Sequence, residues 1–280
     1  MPTDPIKKIY LYNAHGYGFG GRIDRPFQHV LDVHAGASLP TEGGYEVSRK
    51  ENFRLNETIS YTAAHTVLSG SRNEKDGSYT TLASSTIEGL NILDMVTADR
   101  IVARVASKQL ITDDEPTITP IGSHFENLRI AGCPIHAELD ADLFNRFGTF
   151  TAFKEAYEGN QAEREAMQRV FLWGKPKFDV PDFLRERYNW FAGDKFPASK
   201  GIVLCSLVKG IKSCCGHELC GELKVYGNVI VVPQFGKVYL GEVMLKQYER
   251  EVTMLRVDLG SPAAGAAGGP DAGGGGSTYP

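Results

Sequence analysis

The stretch Ser84–Ser107, SSTIEGLNILDMVTADRIVARVAS, decides the fold. Two apolar, β-branched runs flank the centre Gly89-Leu90-Asn91-Ile92-Leu93-Asp94. Such residues fit a pleated, half-buried surface, so the stretch predicts two strand segments bent against each other at the core of a β-rich domain. Ile101, Ala103 and Val105 share one face of the second run. Val102, Arg104 and Ala106 share the other, which is half polar and expected to meet water or the helical insert that follows in the chain.

Upstream, Ile9–Tyr12 opens a strand that runs into an alternation of aromatics and glycines, His15 to Gly21. Those glycines lack the following Lys-Ser/Thr and helix of a phosphate-binding loop. Val30–Ala35 reads as a short strand. Tyr45–Phe53 and Glu57–Val67 alternate apolar and polar residues, with Ile59, Tyr61, Ala63 and His65 on one face, as in exposed-face antiparallel strands. Ser69–Ser78 carries an Asp-Gly and predicts a hairpin tip before a strand over Tyr79–Ile87.

Downstream, His124–Ile130 is a further strand, and then the period changes. Asp140–Gly148, Thr149–Glu158 and a segment capped by Asn160 have helical spacing, and Pro181 starts a helix over Asp182–Phe191. Period two returns in Ile202–Leu207, Glu222–Val232, Lys237–Gln247 and Glu251–Leu259, strands expected to join the early ones in one sheet system. Residues 261–280 are rich in Gly and Ala with almost no charge. Their side chains bury too little apolar surface to offset ordering entropy, which predicts a disordered tail. The expected organisation is a β-rich 1–137, a helical insert 138–197, completing strands 198–260 and that tail. The fold class is mainly β, a layered antiparallel β-sandwich-like domain with an inserted helical segment.

With 280 residues, 42% hydrophobic and 23% charged, the chain can build a sizeable core. A net charge of −4 and a pI near 6.0 supply no bulk attraction to nucleic acid. No apolar run approaches the ~20 residues of a membrane span. The first residues lack the apolar core of a secretory signal, which gives a cytoplasmic location by default. Five cysteines suit a reducing compartment better than a disulfide scaffold.

The run Ser85-Thr86-Ile87-Glu88-Gly89-Leu90-Asn91-Ile92-Leu93-Asp94-Met95-Val96-Thr97-Ala98-Asp99-Arg100-Ile101 resembles the repeated core motif of the bacterial choice-of-anchor P family. Asp94 and Met95 stand where that motif has paired glycines. The resemblance implies a β-rich, non-catalytic module, usually at the cell surface. Phe235–Leu240 and Thr253–Gly260 are similar to stretches of uncharacterised bacterial proteins, which adds to the fold reading alone.

Candidate chemistry falls in three places. Cys205, Cys214, Cys215, His217 and Cys220 combine thiolates and an imidazole, the donor set of structural zinc. Incidental loop cysteines or a redox-sensitive disulfide are the other readings, since no second Cys-x-x-Cys completes the spacing. Glu88, Asp94 and Asp99 are candidate general acid and base groups, as in glycoside hydrolysis. His15, His34 and His65 lie on three strands that pairing could bring together for a metal or for acid–base work. Zinc is the one cofactor these donors suggest. The leading expectation is a non-enzymatic structural or interaction protein of bacterial type, self-associating or bound to another protein through unprotected strand edges. The alternatives are a hydrolase using carboxylates or a bound metal, and a metal-binding protein built on the cysteine cluster.

Overall fold

The fold comes from a computed structural model describing residues 8–170, 181–188, 196, 201–213, 222–260 and 262–279. In chain order the strands are β1 (Ile9–Tyr17), β2 (Phe19–Arg25), β3 (His29–His34), β4 (Ala37–Ser38), β5 (Gly44–Leu55), β6 (Ile59–Arg72), β7 (Tyr79–Ile92), β8 (Val96–Gln109), β9 (Thr117–Thr119), β10 (His124–Glu126), β11 (Arg129–Ile130) and β12 (Cys133–Leu139). Helices α1 (Ala141–Arg146), α2 (Phe150–Gly159), α3 (Gln161–Val170) and α4 (Asp182–Arg187) follow. The chain then returns to β13 (Val203–Ser206), β14 (Val208–Ser213), β15 (Lys224–Tyr226), β16 (Val229–Val232), β17 (Gly236–Leu245), β18 (Glu249–Leu259), β19 (Ala264–Gly268) and β20 (Asp271–Tyr279).

These strands form two antiparallel sheets layered as a β-sandwich. The back sheet runs β14-β12-β11-β8-β7-β6-β5, with β9 and β10 also on β8. The decisive stretch is its central hairpin, β7–β8, paired from Tyr79↔Gln109 to Ile92↔Val96. The turn falls at Leu93 and Asp94, both with positive φ near 53–54°. Asn91 makes that turn tolerable: its Oδ1 accepts from the Asp94 N–H at 2.8 Å and its Nδ2 donates to Asp94 Oδ1 at 2.6 Å.

The front sheet joins the earliest strands to the latest. From β15-β16-β17-β18 it divides: β18 pairs with β19 over Arg256–Leu259 and with β20 over Glu249–Thr253. β19 leads on to β2 and β3, and β20 leads on to β1 and β4. Among the described residues, every hydrogen-bonded route in this sheet from β1–β4 to the later strands therefore passes through residues 264–279.

This corrects the expected disordered tail. β20, Asp271-Ala-Gly-Gly-Gly-Gly-Ser-Thr-Tyr, is buried over its first six residues and pairs with β1 from Tyr17↔Asp271 to Ile9↔Tyr279. Its own side chains bury little, but its neighbours fill the space that glycine leaves. A Cβ on Gly276 would strike the Tyr10 hydroxyl, and one on Gly273 would lie 2.6 Å from the His15 ring. Tyr10 in turn stacks on Tyr79 of the back sheet with ring centroids 4.2 Å apart. Composition counts a strand's own apolar area; here the burial comes from the residues packed over it.

The helical segment has the predicted Asn160 cap, and Asp140 and Thr149 cap the two helices before it. Asp140 accepts from Leu143 N–H, Thr149 Oγ1 from Ala152 N–H, and Asn160 Oδ1 from Ala162 N–H. Phe144, Phe153, Tyr157 and Phe196 form its buried aromatic face. Arg250 of β18 ties α1 and β9 to the front sheet. It is fully buried and donates to Ile118 O at 2.5 Å and Phe147 O at 2.7 Å. Burial brings its guanidinium down to about 10. The predicted continuation of α4 to Phe191 lies outside the described residues. Among the described residues, no helix is long and apolar enough to cross a membrane.

Candidate metal centre

Strand alternation sorts the residues around β20 onto two faces. Tyr10, Tyr12 and Ala14 of β1 are buried in the core, and a Cβ on Gly16 or Gly274 would point at Ser85 or Val105 of the back sheet. The odd-numbered residues of β1 and β20, and with them Glu249, Glu251 and Thr253 of β18, therefore face outward. Register then lines them up across three strands: His15 opposite Gly273 opposite Glu251, and Tyr17 opposite Asp271 opposite Thr253. Because Gly273 has no side chain, the His15 ring lies across β20 toward Glu251.

His15, Glu251 and Asp271 each offer one donor atom, and these atoms lie within 4.8 Å of one another. Asp271 is 1% exposed. Its Oδ2 accepts from Thr253 Oγ1 at 2.6 Å, while its buried Oδ1 has no hydrogen-bond partner among the described residues. Burial first, and the charge of Glu251 second, push the Asp271 carboxyl well above the usual carboxylate range. The Tyr17 phenol is pushed up by burial and then by the charges of Asp271 and Glu251. Glu249 adds a carboxylate 3.4 Å from His15 Nδ1 and is itself held by Lys246 at 2.8 Å.

The cluster borders an outward groove of about 520 Å³ whose lining includes Tyr17, Glu251, Thr253, Arg256, Glu242 and Arg187. Its far wall is fixed by α4. Arg187 donates to both oxygens of buried Glu242 at 2.6 Å, and the Tyr188 hydroxyl donates to the same carboxylate at 2.6 Å. Glu242 is thus fully engaged in docking α4, whereas Asp271 has the Thr253 hydroxyl as its donor and Glu251 faces the Lys246 ammonium at 4.0 Å.

The other sequence candidates are dispersed. His34 Nδ1 is 2.6 Å from the Tyr61 hydroxyl and its ring packs edge-on against Phe53; burial lowers its proton affinity. His65 is on the outer face of the back sheet, opposite Arg49 and Thr86, and burial lowers it also. The three histidines therefore do not form one constellation: His15 and His65 are on opposite outer faces of the sandwich. Glu88 is half-exposed, 3.7 Å from Arg100. Asp94 closes the β7–β8 turn with Asn91, and Asp99 accepts from Asn127 Nδ2 at 2.6 Å. These three acids are occupied with strand-end and turn contacts and do not converge on a cleft. Cys205 is fully buried and free, its thiol pushed well up by burial, and it joins no donor group among the described residues. Cys214, Cys215, His217 and Cys220 lie outside the described residues. Cys133 is disulfide-bonded.

Sequence reading missed Glu251 and Asp271. One signal was available: Asp271 is the only charged residue of the Gly/Ala-rich terminus. Fold and cluster together define a layered antiparallel β protein with a histidine–carboxylate group on the outer face of its front sheet. The chain belongs to the family described as a domain of unknown function (DUF8256), whose model matches residues 10–246. That match includes His15 and ends before Glu251 and Asp271. No curated protein and no solved structure matches the chain.

Proposed function

We propose that the chain binds a divalent transition-metal ion through His15, Glu251 and Asp271 and presents it to oxygen ligands in the adjoining groove. The observation that carries this reading is the buried Oδ1 of Asp271, unpartnered among the described residues, beside a second carboxylate. An ionised carboxylate taken out of water without a partner is costly, so the site calls for a proton or a cation. The imidazole selects between cations. Nitrogen donors suit zinc and its neighbours, whereas calcium and magnesium prefer all-oxygen shells. Three protein donors leave coordination positions open, as in zinc sites that take water or a substrate.

Isothermal titration of the metal-free protein with zinc and manganese, and with calcium as the contrast, tests this. One equivalent of a transition metal is expected, with calcium weaker, and Asp271→Asn and His15→Ala should abolish it while Glu88→Gln leaves it intact. Equal binding by wild type and Asp271→Asn would sink the assignment. A second reading rests on the same carboxyl pair: Asp271 and Glu251 sharing a proton make an acid at the groove wall. It differs in predicting no metal uptake at neutral pH. The interaction role suggested by the sequence attaches to another part of the molecule, the edge strand β5.

A further inference from the structure

We infer that the chain forms a two-fold dimer by antiparallel pairing of β5 with β5 of a second copy, centred on Ser48. β5 ends the back sheet, twelve residues long and paired among the described residues with β6 alone. Gly44–Val47 and Arg49–Asn52 are exposed, so both faces of the strand meet solvent. Tyr45 is 66% exposed and Val47 52%. A long, open edge of this kind is a template for another strand.

The charge sequence fits a second copy of the same strand. In a two-fold antiparallel pair each residue faces the one equally far beyond the centre, and the centre must fall on a residue. With Ser48 at the centre, Glu46 faces Lys50 of the partner subunit, and symmetry repeats the pair. On the other face Val47 meets Arg49 of the partner subunit and Tyr45 meets Glu51 of the partner subunit. Centring on Arg49 or Lys50 places two cations opposite each other, and centring on Val47 leaves Glu46 and Lys50 without opposite charges. The Arg49–Glu51 ion pair at 2.5 Å already orders one face of the strand. Asn52, with φ of 51°, interrupts the extended backbone of β5, whose ladder with β6 resumes at Phe53↔Tyr61, so the proposed pairing occupies the regular segment before it.

Sedimentation velocity over a concentration series, with charge-swap variants, tests the dimer. Glu46→Lys and Lys50→Glu each turn two attractive cross-strand pairs into repulsive ones and should weaken dimerisation about tenfold. The double variant restores both pairs and should recover the wild-type constant. These side chains are exposed, and circular dichroism confirms that each variant folds. A wild-type chain that stays monomeric up to its solubility limit overturns the inference and leaves the edge to a different protein. A dimer unaffected by either single swap, or not rescued by the double, overturns it as well.

Discussion

Ending the chain at Gly260 should unfold it, although composition alone makes the removed segment look dispensable. The cut removes β19 and β20, through which the front sheet connects β1–β4 to β17 and β18. The β1–β20 ladder from Ile9↔Tyr279 to Tyr17↔Asp271 is the longer link, and β20 continues onto β18 from Glu249 to Thr253. An antiparallel ladder makes about one hydrogen bond per paired residue, each worth ~1 kcal/mol net, so β20 alone contributes on the order of 10 kcal/mol of pairing. That equals the whole stability of a typical domain, ~5–15 kcal/mol. Tyr10 would also lose the glycine surface on which its ring rests. Urea unfolding followed by circular dichroism and tyrosine fluorescence gives the answer for the truncated chain. Should truncation abolish soluble expression, Gly275→Ala provides a milder version, because its Cβ would strike the Tyr248 carbonyl. Overpacking of that kind costs about 1–3 kcal/mol and lowers the urea midpoint. A truncated chain with an unchanged midpoint and slope would refute the role given to β20.

Three further outcomes follow from the same geometry. Gly273→Ala pushes a methyl into the His15 ring, and metal affinity measured by titration should fall about 10–100-fold, as when a ligand loses its orientation, with a smaller effect on the urea midpoint. Arg250→Met leaves the carbonyls of Ile118 and Phe147 unsatisfied in the core and should cost about 3–5 kcal/mol in denaturant unfolding. The raised carboxyl of Asp271 sets a pH dependence. The folded state holds that proton more tightly than the unfolded state, so its stabilising contribution is complete below the unfolded value of about 3.9 and is lost as pH rises through the raised folded value. Without metal, Asp271→Asn should therefore remove a fall in stability with rising pH; with wild type, zinc affinity should tighten over the same rise because metal and proton compete.

Much of the β architecture was legible because alternation reports one buried face, as with Ile101, Ala103 and Val105; in Glu57–Val67 the phase slips, so that Ile59 and Tyr61 are buried while His65 lies on the outer face. Helix starts were legible because Asp140, Thr149 and Asn160 act locally on the next turn. The β7–β8 turn was expected within Gly89–Asp94, and it falls at the end of that stretch, at Leu93-Asp94, where the Asn91 side chain clamps it. The terminal strand was illegible for a physical reason: its burial belongs to Tyr10 and His15 on β1, more than two hundred residues away. The same distance hid the candidate site. His15 stood out as a donor, but nothing local reveals that Gly273 lets it reach Glu251, or that pairing sets Asp271 beside them. His34 and His65 suggested partners for it because strand order, which separates them, is not written in any one strand.

The most direct test of the metal centre is an anomalous difference map from crystals grown with zinc, collected on both sides of the zinc absorption edge. A single strong peak about 2.0–2.2 Å from His15, Glu251 and Asp271 is the predicted result. A map with no peak there at saturating zinc, or with its zinc held by other residues, would contradict the assignment.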